Sequence, residues 1–481
     1  MNTTRSGVFW DLLTTGLAAT IAMWVVWFLV HHPAVALPAS TSGPLLLAVQ
    51  ALVLGVVARR WIAPGRRPAA VLVATALAGL LSGVVNLASM GSMLVPQADP
   101  SSGMAANLSA DSHPSLALMV AGYLALSLVL GLASGAAASL LPSRHPPATD
   151  QDRLRRTAFL ALAATLPLLL LGGLVTSSLA GLSVVDWPGT NGGNMFLYPI
   201  SLMASEKHVY LEHSHRLFGA LVGMTSIALL AATLALDSRG WMKAWAAGIY
   251  LLVCTQGLLG GLRVTQSSTA LALAHGVLAQ VVFLLMAMFA AYTTAAYAQG
   301  PSTPDSRDRR RRTFATALLH SLLLQLTLGA VYRHTGSAHV LYTHIAVAFL
   351  VAMVGLLAGM AGSDRPGPAE PFKTAVRRTG SVVAAVVVLQ FVLGWGAWAA
   401  NPPGEFRKVP KAGELAAIEP VATWKVAVRT AHQANGAVLI ASAGVLFVLI
   451  RRIRRDGSGS PVGNTRPKVP SPLAASAVSG G

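Results

Sequence analysis

Four histidines lie at matched positions in the last two-thirds of this 481-residue chain, each near the predicted start of a hydrophobic segment: His215, His275, His344 and His432. A neutral imidazole at membrane depth is suited to ligating heme iron. Two such histidines on alternate helices can approach one iron from opposite sides, so four of them predict two heme positions. The alternative is that each histidine only hydrogen-bonds to its neighbours near the membrane surface.

Glu212 is the carboxylate of most interest, because it precedes His215 by three residues. If the helix extends back that far, this spacing places both side chains on one face. A carboxylate beside a heme pocket can act as a base or stabilise developing positive charge. The alternative is an acidic residue at a helix start, where the helix dipole favours it.

Four arginines accompany the histidines at the same predicted side of the membrane: Arg216, Arg263, Arg333 and Arg429. Heme propionates are anionic, and arginine pairs with carboxylates through two parallel hydrogen bonds. We therefore expect these arginines to bind propionates. The alternative is that they extend toward the membrane surface to keep their charge in water.

A repeated motif, Gln-x-x-Leu-Gly, precedes three of the histidines, at Gln256–Gly260, Gln325–Gly329 and Gln390–Gly394. The first helix of the set has Leu-Gly-Gly at 171–173 in the corresponding place. The two short-loop histidines each follow the motif glycine by 15 residues. Such repetition predicts two pseudo-symmetric four-helix bundles.

The composition requires a membrane protein, because 54% of the residues are hydrophobic and only 11% are charged. Segments long enough to span hydrocarbon recur along the chain, and the backbone must be helical there. We predict an all-α, polytopic protein with spans at about 10–31, 44–58, 69–94, 116–141, 158–182, 216–236, 243–262, 270–297, 314–332, 340–361, 380–400 and 430–450.

The net charge of +18 does not indicate nucleic-acid binding, because the basic residues follow the membrane topology. If the first span starts in the cytoplasm, most of the 35 Lys and Arg lie in segments on the cytoplasmic side. This pattern predicts cytoplasmic termini, with the histidines toward the outer face. The single cysteine, Cys254, excludes an intramolecular disulfide.

Two polar, basic segments, 142–157 and 298–313, divide the predicted spans into sets of four. We predict an N-terminal transmembrane module of unknown role at 1–150 and two four-helix bundles, at 151–300 and 301–455, each with one heme position. The Gly-, Ser- and Pro-rich residues 456–481 are expected to form a disordered tail.

Several segments resemble heme A synthases in order, topology and histidine positions, over about 155–455. They are Gly172–Pro188, Glu212-His-Ser-His-Arg216, Gln256–Val264, the helices of His275 and His344, and Ala431-His432-Gln433. The family oxidises a ring methyl group of heme O to a formyl group, which gives heme A for cytochrome oxidase. The resemblance implies the bacterial inner membrane, lipid contact, and heme O synthase and cytochrome oxidase subunits as partners; a homo-oligomer stays open.

By this resemblance, His215 and His275 belong to the site of the substrate heme O, and His344 and His432 ligate a heme b cofactor that serves electron transfer. Glu212 matches the family's catalytic carboxylate. The chain departs from the family in three ways. It lacks the cysteine pair that many bacterial members carry, its loop 401–429 is long and basic, and it has four additional N-terminal spans.

Two other functions remain compatible with the sequence alone. A diheme electron carrier of the cytochrome b kind would need the same four histidines. A transporter or assembly scaffold without catalysis is disfavoured by the retention of all four. Glu212 and the Gly181–Pro188 segment favour the synthase.

Overall fold

A computed structural model describes residues 3–97, 115–140, 143, 145–300, 308–363, 371–401 and 419–452. In this part of the chain the regular structure is helical: α1 Thr3–His31, α2 Ala39–Trp61, α3 Pro68–Leu94, α4 Leu116–Leu140, α5 Asp150–Ser177, α6 Ile200–Ser205, α7 Lys207–Leu236, α8 Gly240–Thr265, α9 Thr269–Tyr292, α10 Ala295–Ala298, α11 Asp308–Thr335, α12 Ala338–Ser363, α13 Pro371–Ala399 and α14 Thr423–Arg451. Within these ranges, all except α6 and α10 are long and apolar enough to cross a membrane, so the predicted count of twelve spans is confirmed.

The predicted ends of two helices are wrong in a way that matters for the site. The fifth span begins at Asp150 rather than 158, because Thr149 and Asp152 form a capping box, and it ends at Ser177 rather than 182. Helix α7 begins at Lys207 rather than 216. Its first turns were excluded from the predicted span because they are polar, yet Glu212 and His213 in these turns are buried. The second span, predicted at 44–58, is longer than expected and extends over 23 residues, Ala39–Trp61.

The eight helices of the C-terminal part form two rings with the same order of neighbours. Helices α5, α7, α8 and α9 pack in sequence and close through α5 and α9. Helices α11, α12, α13 and α14 do the same and close through α11 and α14. The rings join where α14 packs against α5 and α9. The two four-helix bundles predicted from the repeat are therefore present.

Helix α1 packs directly against the first bundle, mainly through aromatic side chains. Trp24 meets Phe218 edge to face at 5.6 Å between ring centroids, and Phe28 stacks on Tyr210 at 5.5 Å. The Tyr210 hydroxyl also donates to the Phe28 carbonyl oxygen at 2.6 Å. Helices α1 and α7 therefore share one hydrophobic core.

At the opposite end of α1, a buried carboxylate connects the N-terminal helices to α5. Asp11 is 1% exposed and lies within 3.2 Å of three guanidinium groups, those of Arg66, Arg153 and Arg156. Removing one charged group from such a cluster destabilises the fold, because the others stay buried and charged.

The boundary at residue 150 stays a prediction, and the predicted tail 456–481 lies outside the described residues.

Candidate functional site

The four histidines lie farther from the starts of their helices than the sequence predicted. They are six to nine residues from the first residues of their helices, which begin at Lys207, Thr269, Ala338 and Thr423. At a rise of 1.5 Å per residue, this is about 9–14 Å along each helix. The prediction that each histidine lies near the start of its helix is therefore wrong, because each helix extends beyond its apolar run.

The histidines form two pairs, one in each bundle. His215 and His275 have ring centroids 6.4 Å apart, with an interplanar angle of 78°. His344 and His432 have centroids 6.5 Å apart, with an angle of 76°. With a metal–nitrogen bond of about 2 Å on each side and an imidazole radius of about 1.1 Å, two imidazoles that shared one metal ion would have centroids about 6 Å apart. The spacing of both pairs is therefore compatible with two histidines that would hold one iron.

Each histidine ring lies against a glycine of the preceding membrane helix. A methyl group placed on Gly172 would lie 3.2 Å from Cε1 of His215, and one placed on Gly260 would lie 3.1 Å from Cε1 of His275. The corresponding distances in the second bundle are 2.9 Å for Gly329 and His344 and 3.4 Å for Gly394 and His432. The repeated glycines thus leave the space that the four imidazoles occupy.

The glutamines of the motif contact three of the four histidines. Gln256 donates from Nε2 to the carbonyl oxygen of His275 at 3.0 Å, and Gln325 donates in the same way to His344 at 2.9 Å. In addition, Nδ1 of His275 lies 3.2 Å from the Gln256 carbonyl oxygen. A ring held through Nδ1 presents Nε2 to a metal, which is how second-shell contacts commonly orient ligand histidines.

The third glutamine contacts the ring of its histidine, as does Gln325, whose Nε2 lies 3.3 Å from Nε2 of His344. Nε2 of Gln390 lies 3.2 Å from Nδ1 and 3.4 Å from Nε2 of His432. Its Oε1 accepts a hydrogen bond from Asn435 at 2.8 Å. Gln390 is therefore oriented by α14 while it contacts the ring.

Glu212 lies buried beside the first histidine pair, with 2% of its surface exposed. Helix α7 includes it, so its spacing of three from His215 does place both on one face. Oε1 is 3.4 Å from Nε of Arg216, and Oε2 is 3.5 Å from Nη2 of Arg263. Oε2 makes no hydrogen bond to any described residue. The carboxylate thus has two cationic neighbours and one oxygen available for a further contact.

Arg216 holds the loop that follows α5 over this end of α7. Its Nη1 donates to the carbonyl oxygens of Asp186 at 2.6 Å and Gly189 at 3.0 Å. Its Nη2 donates to the carbonyl oxygen of Val184 at 2.6 Å. In the structure Arg216 therefore binds backbone oxygens and Glu212, while its predicted contact with a propionate stays a prediction.

The same loop is internally braced by Asp186. This carboxylate accepts hydrogen bonds from the backbone N–H groups of Asn191 and Gly192, both at 2.8 Å. Burial acts to raise the pKa of Asp186, but these N–H groups and Arg216 outweigh it and hold the pKa below its usual value. Because the lowered pKa belongs to the folded state, this stabilisation is lost as the pH falls through it.

Two contacts of this loop were not predicted from the sequence. The Trp187 indole covers Gly261, where a Cβ would overlap it. His213, which is fully buried, places Nδ1 at 3.0 Å from Oγ1 of Thr190. Trp187 and His213 lie in the segments that resemble the family, but only the folded loop shows what they contact. His213 therefore packs against the loop.

The other three arginines bind helix-end carbonyl oxygens. Arg263 donates to Gly181 at 3.1 Å, and Arg333 of the second bundle donates to Thr176 of α5 at 2.6 Å. Arg429 donates to Ala400 at 2.7 Å. A guanidinium has five N–H donors, so these bonds are compatible with anion binding. Their binding of propionates stays a prediction.

The glycine contact predicts a strong effect of Gly260→Val. The new side chain would collide with His275, and overpacking of this kind costs about 1–3 kcal/mol. We expect heme affinity of the first bundle to fall by about tenfold or more. The matched control is Gly257→Val on the same helix, because no atom lies within 4 Å of a Cβ at Gly257. The measurement is the amount of heme per amount of protein in the two purified variants. The prediction is wrong if both variants bind as much heme as the parent protein.

In a comparison with known proteins, residues 155–344 match the family model COX15-CtaA, described as cytochrome oxidase assembly protein. This range includes Glu212, His215, His275 and His344, whereas Arg429 and His432 lie beyond it. No significant match was found among curated proteins or among solved structures.

Proposed function

We propose that this chain, whose residues 155–344 belong to the COX15-CtaA family of cytochrome oxidase assembly proteins, is a heme A synthase. It would oxidise a ring methyl group of heme O to a formyl group and so supply heme A for cytochrome oxidase. The observation that carries the proposal is the buried Glu212 on the same helix face as His215, in a bundle whose second histidine faces the first at 6.4 Å.

In this proposal the two bundles hold different hemes. His215 and His275 bind the substrate heme O, and His344 and His432 bind heme b. Heme b, when bound, supplies one-electron chemistry. The support is the spacing of both pairs, which fits two imidazoles on one iron, and the glycines that make room for all four rings. The arginines Arg216 and Arg263 serve the first site, and Arg333 and Arg429 the second.

Glu212 stabilises the positive charge that develops at the methyl carbon as electrons and protons leave it. Its charge has a large effect there because the surroundings are buried and poorly screened. Arg216 and Arg263 lie beside the carboxylate and position it. The loop held by Arg216 covers this end of the bundle and limits the entry of water.

We propose that the chain lies in the bacterial inner membrane, with both termini in the cytoplasm and the heme sites toward the outer face. The concentration of Lys and Arg in alternate loops supports this orientation. Heme O synthase would supply the substrate, and cytochrome oxidase subunits would receive the product. Residues 1–150 act as an accessory module, 151–300 as the substrate bundle and 301–455 as the heme b bundle.

Identification of the bound hemes tests the proposal. The full chain is purified from cells that make heme O, and its extracted hemes are separated and identified by mass. We expect heme b together with heme O or heme A. The control variant His215→Ala should lose heme O and heme A and keep heme b. Heme b alone in the parent protein would contradict the proposal and would support a diheme electron carrier.

A further inference from the structure

A groove on the surface of the second bundle is lined by side chains of α11 and α14, two of them arginines. It has a volume of about 650 Å³, within the range of about 300–1,000 Å³ that small-ligand sites occupy. The residues that line it are Arg312, Thr313, Thr316, Ala317, His320 and Arg451. Those from α11 recur at intervals of three or four, so they share one face of that helix.

The groove carries positive charge that α11 and α14 do not compensate. Helix α11 contains one acidic residue, Asp308, whose carboxylate lies 2.9 Å from Nη1 of Arg311, and α14 contains none. Arg312 is half-buried, and its Nε and Nη2 make no hydrogen bond to any described residue. Nη2 of Arg451 lies 3.5 Å from the Thr316 hydroxyl. Because a partly desolvated guanidinium without an acceptor is costly, an anion in the groove would stabilise it.

The position of the groove along the helices matches the depth of lipid headgroups. Arg312 precedes the predicted apolar run 314–332 of α11, and Arg451 follows the run 430–450 of α14, so both arginines lie at one edge of the hydrocarbon. His320 is eight residues further along α11, about 12 Å deeper. Leu324, one turn beyond it, is 52% exposed. This face of α11 therefore changes from cationic to apolar toward the membrane interior.

We propose that this groove binds the headgroup of an anionic glycerophospholipid, with its phosphate at Arg312 and Arg451 and an acyl chain along the exposed face of α11. Basic pockets between membrane helices recognise lipid headgroups, and arginine pairs with phosphate oxygens through two parallel hydrogen bonds. A soluble phosphate would match the arginines but leave the apolar part of this face without a partner. The inference is independent of the heme chemistry, because it requires only that α11 and α14 cross a membrane.

Lipid binding to the purified full chain, counted by native mass spectrometry, tests the inference. The delipidated protein is titrated with phosphatidylglycerol and separately with phosphatidylcholine, whose choline group cancels the charge of the phosphate. We expect the first phosphatidylglycerol to bind more tightly than the first phosphatidylcholine. The double variant Arg312→Gln/Arg451→Gln should weaken this binding by about 25-fold, which is about fivefold for each arginine.

Arg377→Gln/Arg378→Gln is the matched control, because it removes the same charge from exposed positions at the same end of the bundle, outside the groove. It should bind phosphatidylglycerol like the parent. A further variant, Ala317→Trp, keeps every charge but fills the groove, and it should also weaken binding. It remains measurable if the Arg312→Gln/Arg451→Gln variant does not fold.

Three results would overturn the inference. The first is that the parent binds both lipids equally well. The second is that Arg312→Gln/Arg451→Gln or Ala317→Trp binds phosphatidylglycerol as tightly as the parent. The third is that an equimolar amount of inorganic phosphate displaces phosphatidylglycerol, because the groove would then be a site for a soluble anion.

Discussion

Glu212→Gln should block formation of heme A while the substrate heme remains bound. The substitution keeps the size of the side chain and removes its charge, and the amide oxygen can still accept from Arg216 or Arg263, which lie 3.4 and 3.5 Å from the carboxylate. Loss of one preorganised electrostatic group costs about 100- to 1000-fold in rate. We therefore expect heme O or a partly oxidised intermediate to accumulate, as measured by mass analysis of extracted hemes.

Glu206→Gln is the matched control for this variant. Glu206 precedes α7 by one residue and is exposed, so the substitution changes the same charge at the same end of the helix outside the pocket. It should make heme A at the parent rate. If Glu212→Gln also makes heme A at the parent rate, Glu212 is only a residue of the first helical turns, and the mechanism proposed for it is wrong.

The spans and the histidine pairs could be predicted from the sequence because they depend on local patterns. A long apolar run must be helical in lipid, whatever its neighbours are. The offset of 15 residues from Gly260 to His275 and from Gly329 to His344 indicates equivalent hairpins. Both features are independent of how the helices are arranged, and the structure contains the expected spans and rings.

The distance of the histidines from the helix starts could not be predicted, because hydropathy marks where a helix crosses lipid and not where it ends. The first turns of α7 contain Glu212 and His213, and both lower the apolar average although they are buried inside the protein. Thr190 of the loop after α5 contacts His213, and Arg216 and Arg263 lie beside Glu212. Trp24 and Phe28 pack against Phe218 of the same helix, and no pattern in α1 identifies this partner.

The contacts of Arg216 could not be predicted from the sequence either, for a different reason. An arginine beside a ligand histidine suggests an anion, but backbone carbonyl oxygens are equally good acceptors and leave no trace in the sequence. Arg216 donates to three of them, at Val184, Asp186 and Gly189. The same holds for Arg333, whose bond to Thr176 joins the two bundles.

His344→Ala and His432→Ala should each remove the low-spin heme b signal from the purified protein. The two rings face each other at 6.5 Å, so the loss of either leaves an iron with one protein ligand at most. Low-spin absorption and electron paramagnetic resonance both report ligation by two imidazoles. We expect each single variant to lose the signal as completely as the double variant, because the two ligands act on one iron.

His320→Ala is the control for this pair. His320 also lies within a membrane-spanning helix, but its side chain is exposed and Nδ1 is 2.8 Å from the Thr316 carbonyl oxygen of its own helix. Its removal should leave the low-spin signal unchanged. The pairing of His344 with His432 would be wrong if both alanine variants kept a full, unshifted signal. Loss of the signal in only one of them would indicate that the iron takes its second ligand from elsewhere, because a pair that shares one iron must fail together.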